Sequence, residues 1–170
     1  NFLEKVYPLI NKFTVSNGSS LFNKIDINIG IIADEFLYNS LKDVANFHYI
    51  HREKYLDYEG KIDVLLIAST WRGLYDDWKG MGNPNIKNLR RIIFEMIEFY
   101  KSSGTKVVFY SKEDPTNYEY FLDIAQHCDY IFTTAAEKVE DYKKDCNNEN
   151  VFVLEFGVNP IYNNPIGITV

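Results

Sequence analysis

The sequence is poor in cysteine and contains no long apolar run. Its two cysteines, Cys128 and Cys146, show no metal-binding spacing and no disulfide framework, which favours free thiols in a reducing compartment such as the cytoplasm. No apolar run approaches the ~20 residues that a membrane-spanning helix needs, and no signal peptide is recognisable. A transmembrane protein is therefore not expected.

Common signatures of nucleotide, nucleic-acid and metal binding are also missing. The formal net charge is −6 and no dense Lys/Arg cluster occurs, so nucleic acid is not an expected partner. A dinucleotide-binding turn needs Gly-x-Gly-x-x-Gly after the first strand, whereas Gly30 lies inside that strand and no P-loop is present. Because the histidines His48, His51 and His127 lack metal-ligand spacing, we predict no metal site.

Apolar segments typical of buried strands alternate along the chain with amphipathic segments typical of helices. Predicted strands cover residues 27–33, 46–51, 63–69, 106–110, 129–132 and 151–156. Predicted helices cover residues 34–44, 85–103, 117–126 and 135–145. This alternation predicts an α/β, Rossmann-like three-layer domain with a mainly parallel sheet.

Three regions are distinguished along the 170 residues. Residues 1–20 read as an amphipathic helix and a linker, because apolar side chains recur at helical spacing between Phe2 and Phe13. The predicted Rossmann-like domain covers 21–165. We expect residues 166–170 to begin a link to a second domain.

Polar residues follow the predicted strands at their carboxyl ends, where ligands bind in open α/β sheets. The candidate site residues, in chain order, are Asp34, Glu35, Trp71, Arg72, Gly73, Lys112, Glu113, Asp114, Asn117, Thr133 and Thr134. The aromatic share of 16%, with 13 Tyr and 12 Phe, reflects either a generously packed core or rings that line a sugar or base site. Strand-end position alone therefore predicts a polar crevice that binds something small and polar.

Several of these candidates have a structural alternative. Asp34 either takes part in chemistry or caps the following helix through its carboxylate. Arg72 either meets an anionic group in bidentate fashion or pairs with Asp76 or Asp77 as a loop anchor. The run Lys112-Glu113-Asp114 either contacts a ligand or neighbouring domain, or forms an internal Lys–carboxylate network, since charges at this position are costly to bury unpaired.

Five segments in a fixed order resemble one family. They are Trp71-Arg72-Gly73, Phe109-Tyr-Ser-Lys-Glu-Asp-Pro115, Asp129-Tyr-Ile-Phe-Thr-Thr134, Val151-Phe-Val-Leu-Glu-Phe156 and Asn159-Pro160. Their order and spacing resemble the amino-terminal domain of CgeB-like (spore-maturation-type) bacterial glycosyltransferases. The resemblance covers about residues 27–165.

The resemblance implies one half of a GT-B architecture, in which two Rossmann-like domains face each other across a cleft. This chain would be the acceptor half, and the carboxyl-terminal domain that holds the nucleotide-sugar co-substrate would be missing. No protein-bound metal or bound cofactor is implied. The acceptor would be a carbohydrate or glycoconjugate, and sugar transfer by this chain alone is not expected.

The resemblance also implies roles for the strand-end residues. Asp34 or Glu35 would orient or deprotonate an acceptor hydroxyl, and Arg72 and Lys112 would neutralise negative charge. Glu113, Asp114 and Asn117 would bind hydroxyls, and Thr133 and Thr134 would add neutral hydrogen bonds. Apart from the resemblance, Trp71 either stacks on a sugar ring or is packed as a loop anchor. The alternative is a non-catalytic glycan- or protein-binding module of the same fold. A broad polar cleft with apolar patches nearby favours the enzyme half, whereas a closed pocket favours the module.

Overall fold

Six parallel strands form a single sheet in the computed structural model, which describes residues 24–57 and 60–159. The strand order is β2-β1-β3-β4-β5-β6, and each neighbouring pair runs parallel. The strands are β1 (Asn28–Ile32), β2 (Asn46–Tyr49), β3 (Val64–Ala68), β4 (Lys106–Ser111), β5 (Tyr130–Thr133) and β6 (Val151–Val153).

Helices flank this sheet on both faces, which confirms the predicted Rossmann-like α/β class. They are α1 (Glu35–Leu41), α2 (Lys87–Ser102), α3 (Tyr118–Ala125) and α4 (Val139–Cys146), with short 3-10 helices at Leu74–Asp76 and Ala136–Lys138. None of the helices in the described part of the chain has the length and apolar character that a bilayer crossing requires.

Some predicted element ends differ from the structure. The last strand, β6, ends at Val153 rather than at residue 156, although the Leu154 N–H still donates to the Thr133 carbonyl at 2.9 Å before the chain leaves the sheet. Helix α4 begins at Val139 because residues 136–138 form a 3-10 helix. The predicted amino-terminal helix and linker (1–20) and the link at 166–170 lie outside the described residues.

The main core lies between the sheet and helices α2, α3 and α4. An apolar stripe on α2, at the spacing of an amphipathic helix, is buried: it consists of Leu89, Ile93, Met96, Ile97 and Tyr100. Trp78, in the loop after β3, is completely buried, and its indole N–H donates to the Ile50 carbonyl at 2.9 Å. This loop is thereby fixed to the core on the side of α2.

The opposite face of the sheet is covered by α1 and by residues 154–159. Leu37 of α1 packs with Ile31 and Ala68 in a smaller buried cluster. The segment after β6 returns to α1, where the Asn159 amide donates to the Asn39 carbonyl at 2.9 Å. Large apolar side chains remain exposed along this return path, namely Phe36, Val153, Leu154, Phe156 and Val158.

The strand order reverses between β1 and β3. The chain leaves β1 through α1 toward β2 on one face, and it leaves β3 through α2 toward β4 on the other face. The loops after these two neighbouring strands therefore diverge. Such a switch point leaves a crevice outside the carboxyl ends of the strands, which positions the candidate site.

The division of the core predicts that two Phe→Ala substitutions lower the free energy of unfolding by different amounts. Phe121→Ala, at a fully buried position, is expected to lower the free energy of unfolding by about 3–5 kcal/mol, because it removes apolar contacts and leaves a cavity. Phe152→Ala, at a ring that is 47% exposed on the opposite face, should cost less than about 1 kcal/mol. Urea unfolding followed by circular dichroism measures both, and equal losses would contradict the described core.

Candidate functional site

An open cleft of about 630 Å³ lies at the switch point between β1 and β3. One wall comes from the start of α1, and the other comes from the loop that follows β3. The lining residues are Asp34, Glu35, Tyr38, Asn39, Arg72, Gly73, Leu74, Tyr75 and Asp76. Four of the predicted site residues, Asp34, Glu35, Arg72 and Gly73, therefore meet in one place.

Asp34 starts helix α1. Its Oδ1 accepts a hydrogen bond from the Leu37 N–H at 3.0 Å, so the capping alternative is confirmed. Its Oδ2 lies 2.7 Å from Lys112 Nζ. Because both carboxylate oxygens are engaged, Asp34 is suited to holding the wall of the cleft in place rather than to accepting a proton.

Lys112 is the centre of a charge network at the carboxyl edge of the sheet. Its Nζ lies 2.7 Å from Asp34 and 2.7 Å from Glu113 Oε1, and its side chain is only 12% exposed. Burial would lower the pKa of Lys112, but the hydrogen bonds to these two carboxylates outweigh burial and raise it. The ammonium therefore stays charged, as the internal-network alternative predicts.

Two further contacts complete this network. The second oxygen of Glu113, Oε2, accepts from the Asn117 amide at 3.1 Å. The backbone N–H of Lys112 donates to Ser69 Oγ at 2.9 Å, which connects the end of β4 to the end of β3. The predicted residues Lys112, Glu113 and Asn117 are thus brought together with Asp34.

Asp114 belongs to a separate network between β5 and α4. Its Oδ2 accepts from the Thr133 hydroxyl at 2.6 Å, and its Oδ1 accepts from the Tyr142 hydroxyl at 3.3 Å. Burial raises the pKa of Asp114 above its ordinary value, although both hydrogen bonds favour the ionised form. Neither Asp114 nor the fully buried Thr133 lines the cleft.

Of the predicted residues in the loop after β3, Arg72 lines the cleft and Trp71 does not. The Arg72 Nη1 atom contacts both carboxylate oxygens of Asp76, at 3.0 and 2.9 Å, so the predicted loop ion pair is present. Trp71 instead packs edge-on against the rings of Tyr120 and Phe121, which are not among the residues that line the cleft.

Contacts within the protein account for two further predicted residues, Gly73 and Thr134. Gly73 has a φ of 68°, and a Cβ there would lie 2.7 Å from the Tyr49 hydroxyl, so only glycine fits. Its N–H donates to Thr70 Oγ1 at 3.0 Å. Among the described residues, the Thr134 hydroxyl donates to the Ser111 carbonyl, at 3.4 Å.

The cleft has more acidic than basic groups. Glu35, Asp34 and Asp76 face a single guanidinium, that of Arg72. Within residues 24–57 and 60–159, the exposed Glu35 carboxylate takes part in no hydrogen bond or ion pair. Glu35 is therefore the carboxylate of this cleft that is open to a ligand.

Five residues that line the cleft were not predicted as site residues, namely Tyr38, Asn39, Leu74, Tyr75 and Asp76. Tyr38 and Asn39 lie one turn after the predicted pair Asp34-Glu35, so helical spacing is a signal that points to them. Leu74, Tyr75 and Asp76 lie in the segment between the predicted strand 63–69 and the predicted helix 85–103. In the described part of the chain, no group of three or more His, Cys, Asp or Glu side chains converges so as to hold a metal ion.

Comparison of the chain with protein-family models, with curated proteins and with solved structures found no match.

The Asp114 network predicts a pH-dependent effect on stability. Thr133→Val removes the shorter hydrogen bond to a buried carboxylate and should lower the free energy of unfolding by about 2 kcal/mol at about pH 7. That bond favours ionised Asp114, so its loss raises the folded-state pKa further above the unfolded value. The deficit should therefore be largest when Asp114 is ionised and should shrink as acid protonates it.

Urea unfolding of the wild type and the variant across acidic and neutral pH measures this deficit. Thr134→Val is the matched control, because that hydroxyl makes only a 3.4 Å contact and should change stability by less than about 0.5 kcal/mol. A deficit that does not change with pH would mean that Asp114 is not the partner on which Thr133 acts.

Proposed function

We propose that this chain is the acceptor-binding half of a bacterial GT-B glycosyltransferase that transfers a sugar from a nucleotide-sugar donor. A second, carboxyl-terminal domain would hold the donor. The observation that carries the proposal is the open, acidic cleft at the point where the strand order reverses. The order of motifs that resembles CgeB-like glycosyltransferases supports the same assignment.

The charge of the cleft fits a neutral, hydroxyl-rich ligand. Sugar hydroxyls donate hydrogen bonds to carboxylates such as Glu35 and accept them from an amide such as that of Asn39. An excess of carboxylates repels a diphosphate, which a nucleotide sugar must carry. The cleft therefore suits an acceptor better than a donor.

Glu35 is the residue that we assign as the general base. It is exposed in the cleft, and no partner in the described part of the chain occupies its oxygens. It would take the proton of the acceptor hydroxyl as that oxygen attacks the anomeric carbon of the donor sugar. The bond from that carbon to the diphosphate oxygen would break, and nucleoside diphosphate would leave with the bonding electron pair. Asp34, held by Leu37 and Lys112, would position the first turn of α1 and therefore Glu35.

The surroundings of the cleft support an enzyme half over a self-sufficient binding module. The cleft is open rather than enclosed. Phe36, the residue after Glu35, is an exposed apolar side chain, and so is Phe156, whose ring centroid lies 5.8 Å from that of Phe36. A second domain that closes over the donor would cover such side chains and exclude water from the reaction.

The acceptor assignment is tested by titrating the isotopically labelled chain in NMR spectra. Neutral methyl pyranosides (gluco, galacto and N-acetylgluco) are expected to shift the amide signals of the first turn of α1 and of residues 72–76, with weak affinity. Uridine diphosphate should leave these signals unchanged, because its phosphates meet carboxylates. Shifts of these amides by uridine diphosphate and not by any pyranoside would refute the acceptor assignment.

The assignment of Glu35 is tested in the full-length protein. Glu35→Gln keeps the shape of the side chain but removes its basicity, so kcat for sugar transfer should fall by about 10²- to 10⁴-fold. The KM for the acceptor should change little. Release of nucleoside diphosphate is the assay, and Glu98→Gln, at an exposed position on α2, is the control. An unchanged kcat for Glu35→Gln would remove Glu35 from the mechanism.

A further inference from the structure

Tyr75 combines two features that are unfavourable for folding. Its backbone is left-handed, with φ 55° and ψ 26°, and the next residue, Asp76, has a φ of 60°. This conformation is disfavoured for residues other than glycine, and bulky side chains adopt it rarely. The side chain of Tyr75 is also 88% exposed, so its ring contributes almost nothing to the core.

Neighbouring contacts maintain this strained turn from both sides. Leu74 is buried, and its N–H donates to the Tyr49 hydroxyl at 3.0 Å. On the other side, the N–H of the buried Trp78 donates to the Arg72 carbonyl at 2.8 Å. Backbone strain of this kind persists only when the surroundings fix it, and it concentrates at functional sites.

The turn places an aromatic ring in an acidic cleft. Tyr75 lines the cleft together with Glu35 and Asp76. The face of an aromatic ring covers the apolar C–H face of a pyranose. Neighbouring carboxylates accept hydrogen bonds from the hydroxyl groups of the sugar. A nucleobase also stacks on such a ring, but it brings phosphates into a cleft with an excess of negative charge.

We propose that Tyr75 is a preformed stacking platform for the pyranose ring of a neutral sugar, with Glu35 as an acceptor for its hydroxyl groups. This assignment rests on the proposed acceptor function of the cleft and adds the residue that recognises the ring. The strained backbone keeps the tyrosine exposed in the cleft before the sugar arrives. Less ordering is then needed on binding.

The test compares stability and sugar binding in the same variants of the chain. Tyr75→Gly is expected to raise the thermal midpoint by about 2 °C, because glycine adopts a left-handed backbone without strain. The same variant should bind methyl pyranosides about tenfold more weakly in the NMR titration, because the ring is lost. Tyr75→Ala should lose a similar factor, whereas Tyr75→Phe keeps a ring and should lose only about twofold.

Tyr120→Ala is the matched control, because that ring is also partly exposed but packs on Trp71 rather than in the cleft. Unchanged pyranoside affinity in Tyr75→Gly and Tyr75→Ala would overturn the platform while leaving the acceptor cleft in place. The absence of pyranoside binding to the wild-type chain would overturn the acceptor cleft and the platform together. Binding of uridine that depends on Tyr75 would replace the sugar with a nucleobase and overturn the proposal.

Discussion

The candidate site depends on the Lys112 ammonium between Asp34 and Glu113. Asp34 follows β1 and Lys112 follows β4, whereas β3 lies between these strands in the sheet. The 2.7 Å ion pair therefore spans the end of β3, and the Lys112 N–H also holds β3 through Ser69. Desolvating one ammonium is costly, and here two carboxylates at bonding distance offset that cost. The same contact fixes where α1 begins, and thus the position of one wall of the cleft.

Most of the fold could be predicted from the sequence because its signals are local. The apolar runs of β1, β3 and β4 and the stripe on α2 are properties of short segments, and all of them form as expected. Strand-end position also located Asp34, Arg72 and Lys112 at the correct edge of the sheet. Strand-end position could not show the direction of side chains. It therefore did not distinguish Thr133, which is buried and donates to Asp114, from residues that line the cleft. The predicted limits of the Rossmann-like domain, residues 21 and 165, stay a prediction.

The left-handed backbone of Tyr75 could not be predicted, since tyrosine itself does not favour this conformation. Glycine or asparagine is the usual signal for such a turn, and this one is Leu74-Tyr75-Asp76. Its geometry comes from distant residues, above all the Tyr49 hydroxyl, 25 positions earlier in the sequence. Tertiary contacts thus override local preference at the place where an exposed ring lines the cleft. Such conflicts between local and global preference are expected at functional sites.

The distribution of charge at this edge favours a neutral ligand over an anionic one. The cations Arg72 and Lys112 are already neutralised, Arg72 by Asp76 and Lys112 by Asp34 and Glu113. Stabilising a leaving diphosphate requires donors or cations that are not yet paired. Glu35, in contrast, is exposed and has no partner within the described part of the chain, so a neutral hydroxyl can bind it at little electrostatic cost. Under the proposed function, the groups that stabilise the donor phosphates would lie outside this cleft, in the proposed carboxyl-terminal domain.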